Sequence, residues 1–125
     1  AASGVLQLAG GVLVAADRLC CPEHKLSPKM ERLFPNLETP WRYPNSGGFA
    51  GTAEAVRGLI QSLVRSAVGG VFDAKGDDQL RLQTFLLARA EAGNRYPVRL
   101  DTDCAVFQCM GEQHQGWRFE TFSGE

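Results

Sequence analysis

Strong charge of either sign is missing from this chain. Its 125 residues carry 13 Lys and Arg against 14 Asp and Glu, a net charge of −1. That balance leaves no electrostatic footprint for nucleic acid or an acidic membrane surface. Long apolar runs are missing too; none approaches the ~20 residues that cross a bilayer. Histidine is scarce, with only His24 and His114, both in polar stretches that suit a solvated surface. The cysteines Cys20, Cys21, Cys104 and Cys109 contain no Cys-x-x-Cys pair. No zinc-type spacing exists, so no metal site is expected from these residues. Two states of the cysteines stay open: a bridge from Cys20 or Cys21 to Cys104, or free thiols. The small apolar start, Ala1 to Gly11, has no basic flank and does not have the form of a signal peptide. An initiator Met is also absent, which suggests a processed, truncated or partly observed product.

What is present suits one small domain. Hydrophobic residues make up 44% of the chain, enough for a modest core. Val12 to Ala16 is a short apolar run, expected as a buried strand of a parallel or mixed sheet. Ser3 to Ala9 has the pattern of a helix tail ended by Gly10-Gly11. Cys21 to Asn45 holds five prolines and is expected to be mostly loop. Thr52 can cap a helix to about Val68, with Val56, Leu59, Ile60, Leu63, Val64 and Ala67 on one apolar face and Gly69-Gly70 as its stop. Asp77 or Asp78 can cap a second helix to about Ala92, ended by Gly93-Asn94. Val98 to Leu100, Cys104 to Gln108 and Trp117 to Phe122 carry strand patterns. Alternating strands and helices make the class α/β.

Two segments carry chemistry. In Asn45-Ser46-Gly47-Gly48 the glycines permit a close backbone approach or positive φ, and amides could face a sugar or diphosphate. The plainer reading is a tight connection that lets the next helix pack on the sheet. In Asp77-Asp78-Gln79 the carboxylates could activate a hydroxyl or hold a sugar, with the Gln79 amide beside them. The plainer reading is a pair of carboxylates at the positive end of a helix. Asp101-Thr102-Asp103 spells Asp-x-Asp, which suits a hard cation. A turn stabilised by Asp side chains is the preferred reading there. Trp41 could stack on a sugar, although packing is preferred, and Arg42, Arg95 and Arg99 are expected to be solvated.

Four blocks then share an order. Val12 to Asp17 with Cys20-Cys21-Pro22, Tyr43 to Gly51, Asp77-Asp78-Gln79-Leu80, and Leu100 to Gln108 follow one another along the chain. Together they resemble the glycosyltransferase domain of the procollagen lysyl hydroxylases and related collagen-type transferases. The resemblance implies a GT-A-type fold, here a partial mixed sheet with flanking helices. It implies hexose transfer from a UDP-sugar to hydroxylysine-linked or similar acceptors. Asp77 and Asp78 become candidate catalytic residues. Asn45, Ser46, Gly47, Gly48 and Gln79 become candidate substrate contacts. The secretory pathway or ER lumen is the implied compartment, with an organellar or other assembly as the alternative.

The resemblance has departures. The family holds Mn²⁺ by an Asp-rich motif before the first of these strands and by a His after the last. Neither lies between Ala1 and Glu125, and Asp101-Thr102-Asp103 falls too late to be that motif. Asp17 stands where the family has Glu, and Cys21 where Trp is usual. The chain is therefore expected to be a single partial domain without the nucleotide- and metal-binding half, with no cofactor of its own and inactive alone. Its partner would be another chain or the remainder of the same protein, and a UDP-sugar would bind only to the complete domain. The alternative is a non-catalytic structural or binding subunit that keeps the half-fold. Either way, the surface near Val5, Leu6, Leu8 and Val12 to Val14 is expected to be an open edge covered by that partner.

Overall fold

In the computed structural model, residues 11–36, 38–66 and 77–107 are described. The elements run β1 (Val12–Asp17), α1 (Ser27–Leu33), β2 (Tyr43–Ala50), α2 (Ala53–Arg65), α3 (Asp78–Glu91) and β3 (Val98–Leu100). The sheet order is β2-β1-β3; β1 pairs antiparallel with β2 and parallel with β3. The class is α/β with a mixed sheet, in keeping with a partial GT-A-like fold.

The run Val12-Leu13-Val14-Ala15-Ala16 is apolar without alternation because β1 lies in the middle of the sheet. Successive strand residues point to opposite faces, and all five are buried. Val12, Val14 and Ala16 join Met30, Phe34, Leu59, Leu82, Phe85, Leu86 and Leu100 in one core. Val12 to Val14 is thus neither an edge nor an open surface, contrary to the expectation for this strand. The strand that should have been exposed is paired on both sides. Val5, Leu6 and Leu8 lie outside the described residues.

The capping signals act as expected. Thr52 accepts the Ala55 amide at 3.1 Å and opens α2. Asp77 accepts the Leu80 amide at 2.9 Å and opens α3. Gly93, at φ +73°, ends α3. Its amide bonds to Ala90 O at 3.0 Å and that of Asn94 to Arg89 O at 2.9 Å, the paired closure that a left-handed residue permits.

Three expectations need correction, and one open alternative is decided. The proline-rich stretch contains α1, because Pro28 occupies its first turn, where no amide is needed. On α2, Leu59 is fully buried and Val56 and Leu63 pack on the core, but Ile60 and Val64 are exposed. The buried arc centres on Leu59, and one residue further turns the side chain about 100° away. Cys104 to Phe107 is not a strand, for a reason the Asp101 carboxylate supplies below. Of the two states left open for the cysteines, the structure has free thiols at Cys20, Cys21 and Cys104. The Ser3–Ala9 helix tail, the Gly69-Gly70 stop and the Trp117–Phe122 strand fall outside the described residues.

Candidate functional site

Asn45-Ser46-Gly47-Gly48 is not a tight connection but a bulge inside β2. Leu13 and Val14 pair with Ala50 and Phe49, yet Ala15 pairs with Asn45. Ser46, Gly47 and Gly48 therefore have no partner on β1 and loop out of the ladder. Bulges of this kind re-aim side chains and recur beside active sites.

The bulge is clamped from several directions. Asn45 Oδ1 accepts the Gly47 amide at 2.7 Å, and Asn45 Nδ2 donates to Asp17 Oδ2 at 3.2 Å. Ser46 Oγ donates to Asp78 Oδ2 at 2.9 Å. The Ser46 amide donates to Gln79 Oε1 at 3.4 Å. The first turn of α3 and the loop of β2, distant in sequence, thus meet as one polar lip. Neither Gly47 nor Gly48 has positive φ; among the described glycines only Gly93 does. Close approach explains both instead. A Cβ on Gly47 would lie 2.8 Å from Asn45 Oδ1, and one on Gly48 would lie 2.7 Å from the Phe107 ring.

The candidate residues divide by role. Asn45, Ser46, Gly47, Asp78 and Gln79 converge on the lip. Asp77 stands beside it, but its side chain is engaged in the cap of α3. Gly48 faces the Phe107 ring. Asp78 is exposed, and its second carboxylate oxygen accepts from no described residue.

Gln83 is the residue that sequence reasoning missed. It is fully buried. Its Nε2 donates to Cys21 O at 3.2 Å and Pro44 O at 3.1 Å. Its Oε1 faces the Cys20 thiol at 3.9 Å. Gln79, one turn earlier on the same helix face, donates to the same Cys21 carbonyl at 2.8 Å. The two amides tie the exit of β1, the start of β2 and the head of α3 into one unit. A polar residue between Leu82 and Phe85, spaced one turn from Gln79, was the available signal.

The stray candidates follow expectation except for Arg42. Trp41 packs against the core with the Arg18 guanidinium 5.6 Å from its ring centre. Arg95, 5.2 Å from the centre of the Phe34 ring, and Arg99 are exposed, whereas Arg42 is half-buried, contrary to the expectation for it. His24 is exposed and His114 lies outside the described residues.

A family model describing the PLOD GT domain, the glycosyltransferase domain of the lysyl hydroxylases, matches residues 5–124. The chain belongs to this family. The match spans all four blocks and the whole of the lip. No curated protein and no solved structure gives a significant match. In a PLOD-type domain a divalent cation is implied, and the described residues can be tested for it. A hard cation needs several converging oxygens. Asp17 instead accepts from the Arg18 amide at 2.7 Å and from Asn45. Asp101 accepts three backbone amides, and Asp77 caps α3. Among the described residues no cluster of three or more His, Cys, Asp or Glu could hold a metal. These residues do not fit Mn²⁺, and no step below is routed through it.

Proposed function

We propose that this PLOD-type domain provides the sugar-facing side of hexose transfer from a UDP-sugar. One observation carries the reading: the exposed Asp78 carboxylate sits 2.9 Å from the Ser46 hydroxyl, with the Gln79 amide beside them. A carboxylate with an oxygen to spare, a hydroxyl and a carboxamide match the neighbouring hydroxyls of a hexose ring. Asp78 is also placed to accept a proton from an acceptor hydroxyl within hydrogen-bond reach. Asp77 has a supporting part, holding the helix start that aims Asp78 and Gln79.

The chain alone transfers nothing under this reading. Loss of a diphosphate leaving group needs a strong positive counter-charge, and among the described residues no cluster of His, Cys, Asp or Glu is placed to hold a cation that would supply it. A partner chain or a further segment of the same protein supplies that function. A second reading, a structural or binding subunit, has one observation in its favour. The polar groups of the lip largely satisfy one another, as a network retained for folding would.

Calorimetry of the chain with UDP-glucose and UDP-galactose, each with and without Mn²⁺, separates these readings. The expected result is weak binding, in the millimolar range, indifferent to Mn²⁺ and lost in Asp78→Asn. Micromolar, Mn²⁺-dependent binding would overturn the division of labour. No binding at all would leave the structural reading.

A further inference from the structure

The Asp101-Thr102-Asp103 segment is not used by the function above, yet the Asp101 carboxylate accepts three backbone amides. Asp101 is buried. Its Oδ1 accepts the Ala105 amide at 2.8 Å. Its Oδ2 accepts the amides of Val106 at 2.8 Å and Phe107 at 2.7 Å. Three charge-assisted bonds to one carboxylate are far more than a surface turn requires. They also hold Cys104 at φ +53°, a left-handed conformation that a non-glycine residue adopts only when its surroundings impose it.

The consequence of this clamp appears at Phe107. Its ring lies where a Gly48 side chain would be, 2.7 to 3.0 Å from a Cβ at that position. Gly48 is therefore a glycine because an aromatic ring occupies its side-chain space. Gly48 belongs to the same looped-out segment as Ser46, and two residues of chain span at most about 7 Å. One end of the bulge thus carries hydroxyl-binding groups and the other an aromatic ring. Sugars present both chemistries, hydroxyls at the rim and a patch of C–H bonds on the ring face.

We infer that Phe107 is the apolar platform of the sugar site and that Asp101 is the residue that positions it. The inference rests on the hexose reading of the Ser46–Asp78–Gln79 lip and extends it to a second recognition element. The ligand class becomes a pyranose with one C–H-rich face open for stacking. Phe107 touches the sugar; Asp101 acts only through Phe107.

Saturation-transfer NMR on the full chain, with methyl β-galactoside and methyl β-glucoside as probes, tests this. Irradiating the aromatic protons should saturate the ring C–H protons of the bound glycoside. F107L should lose most of that transfer and bind roughly fivefold to tenfold more weakly, the scale of an aromatic contact. F107W should keep both. G48A should push the ring aside and weaken binding in the parent chain, but change nothing further in an F107L background. D101N should behave as F107L does. If D101N fails to fold, F107L and G48A still decide. F107L with parental affinity and parental transfer overturns the inference. D78N separates the two layers. If D78N abolishes binding while F107L does not weaken it, only the platform is wrong. If D78N leaves binding intact, the hexose reading falls and the platform with it.

Discussion

Replacing Gln83 with Leu removes the buried one of the two side chains that tie the exit of β1, β2 and α3 together. The volume is nearly conserved, so the cost falls on polar groups rather than packing. Pro44 O loses its Gln83 donor at 3.1 Å. A buried carbonyl that loses a donor costs about 1–3 kcal/mol where no other donor takes its place. Cys21 O loses one donor but keeps Gln79 at 2.8 Å, so its loss is the ordinary net value of a hydrogen bond, about 1 kcal/mol. The sum is about 2–4 kcal/mol. For a chain of this size that lowers the midpoint of thermal unfolding by roughly 6–16 °C. Circular dichroism melts of the parent and Gln83→Leu measure it directly. Gln83→Glu supplies a control with a sign. A buried carboxyl facing two carbonyls is held above the ordinary value, so its folded state keeps the proton longer than the unfolded chain. That variant should lose stability as pH rises past about 4.3, the unfolded Glu value. A Gln83→Leu midpoint within about 2 °C of the parent would refute the claim that Gln83 is structural glue here.

Other outcomes follow from the same geometry. Asp77→Ala removes the cap of α3 and should cost about 1 kcal/mol in chemical denaturation, whereas exposed Asp78→Ala should cost much less while abolishing glycoside binding. Gly47→Ala places a Cβ 2.8 Å from Asn45 Oδ1, so the Asn45–Gly47 bond should break and the Gly47 amide should lose hydrogen-exchange protection. Burial holds the Cys20 thiol above its ordinary 9.0, so the folded state keeps that proton to higher pH than the unfolded chain. Stability should be full below about pH 9 and fall above it. Burial raises the Cys104 thiol above 9.0 as well, and burial, helped by the hydrogen bond to Glu31, raises Tyr43 above 10.0, so Cys20→Ala should reduce the lower part of that decline and leave the upper part. Buried Cys20 should also resist thiol reagents until the chain unfolds, while partly exposed Cys21 reacts in the native state.

Local signals made much of this molecule legible from sequence. The unbroken apolar run of β1, the caps at Thr52 and Asp77 and the stop at Gly93 each act through neighbours a few residues away. What escaped depends on distant partners. Asn45 to Gly48 has turn chemistry, and only the pairing of its flanks with β1 makes it a bulge instead. Ile60 belongs to a helical apolar pattern, but the width of the buried arc is set by what α2 packs against. Gln83 sits in an apolar stretch, and its value depends on two carbonyls that the chain brings together only on folding. Cys104 to Phe107 alternates like a strand, yet Asp101 takes the three amides that a ladder would need. The candidate site residues meet in space in part: five of the seven share one lip, while Asp77 serves the helix and Gly48 the Phe107 ring.

The most direct test of the account is an amide chemical-shift titration of the ¹⁵N-labelled chain with methyl β-glucoside and methyl β-galactoside. The account predicts saturable shifts concentrated at Ser46, Gly47, Gln79 and Phe107, absent in Asp78→Asn. Saturable shifts confined to residues remote from the bulge, or an unchanged response in Asp78→Asn, would contradict it.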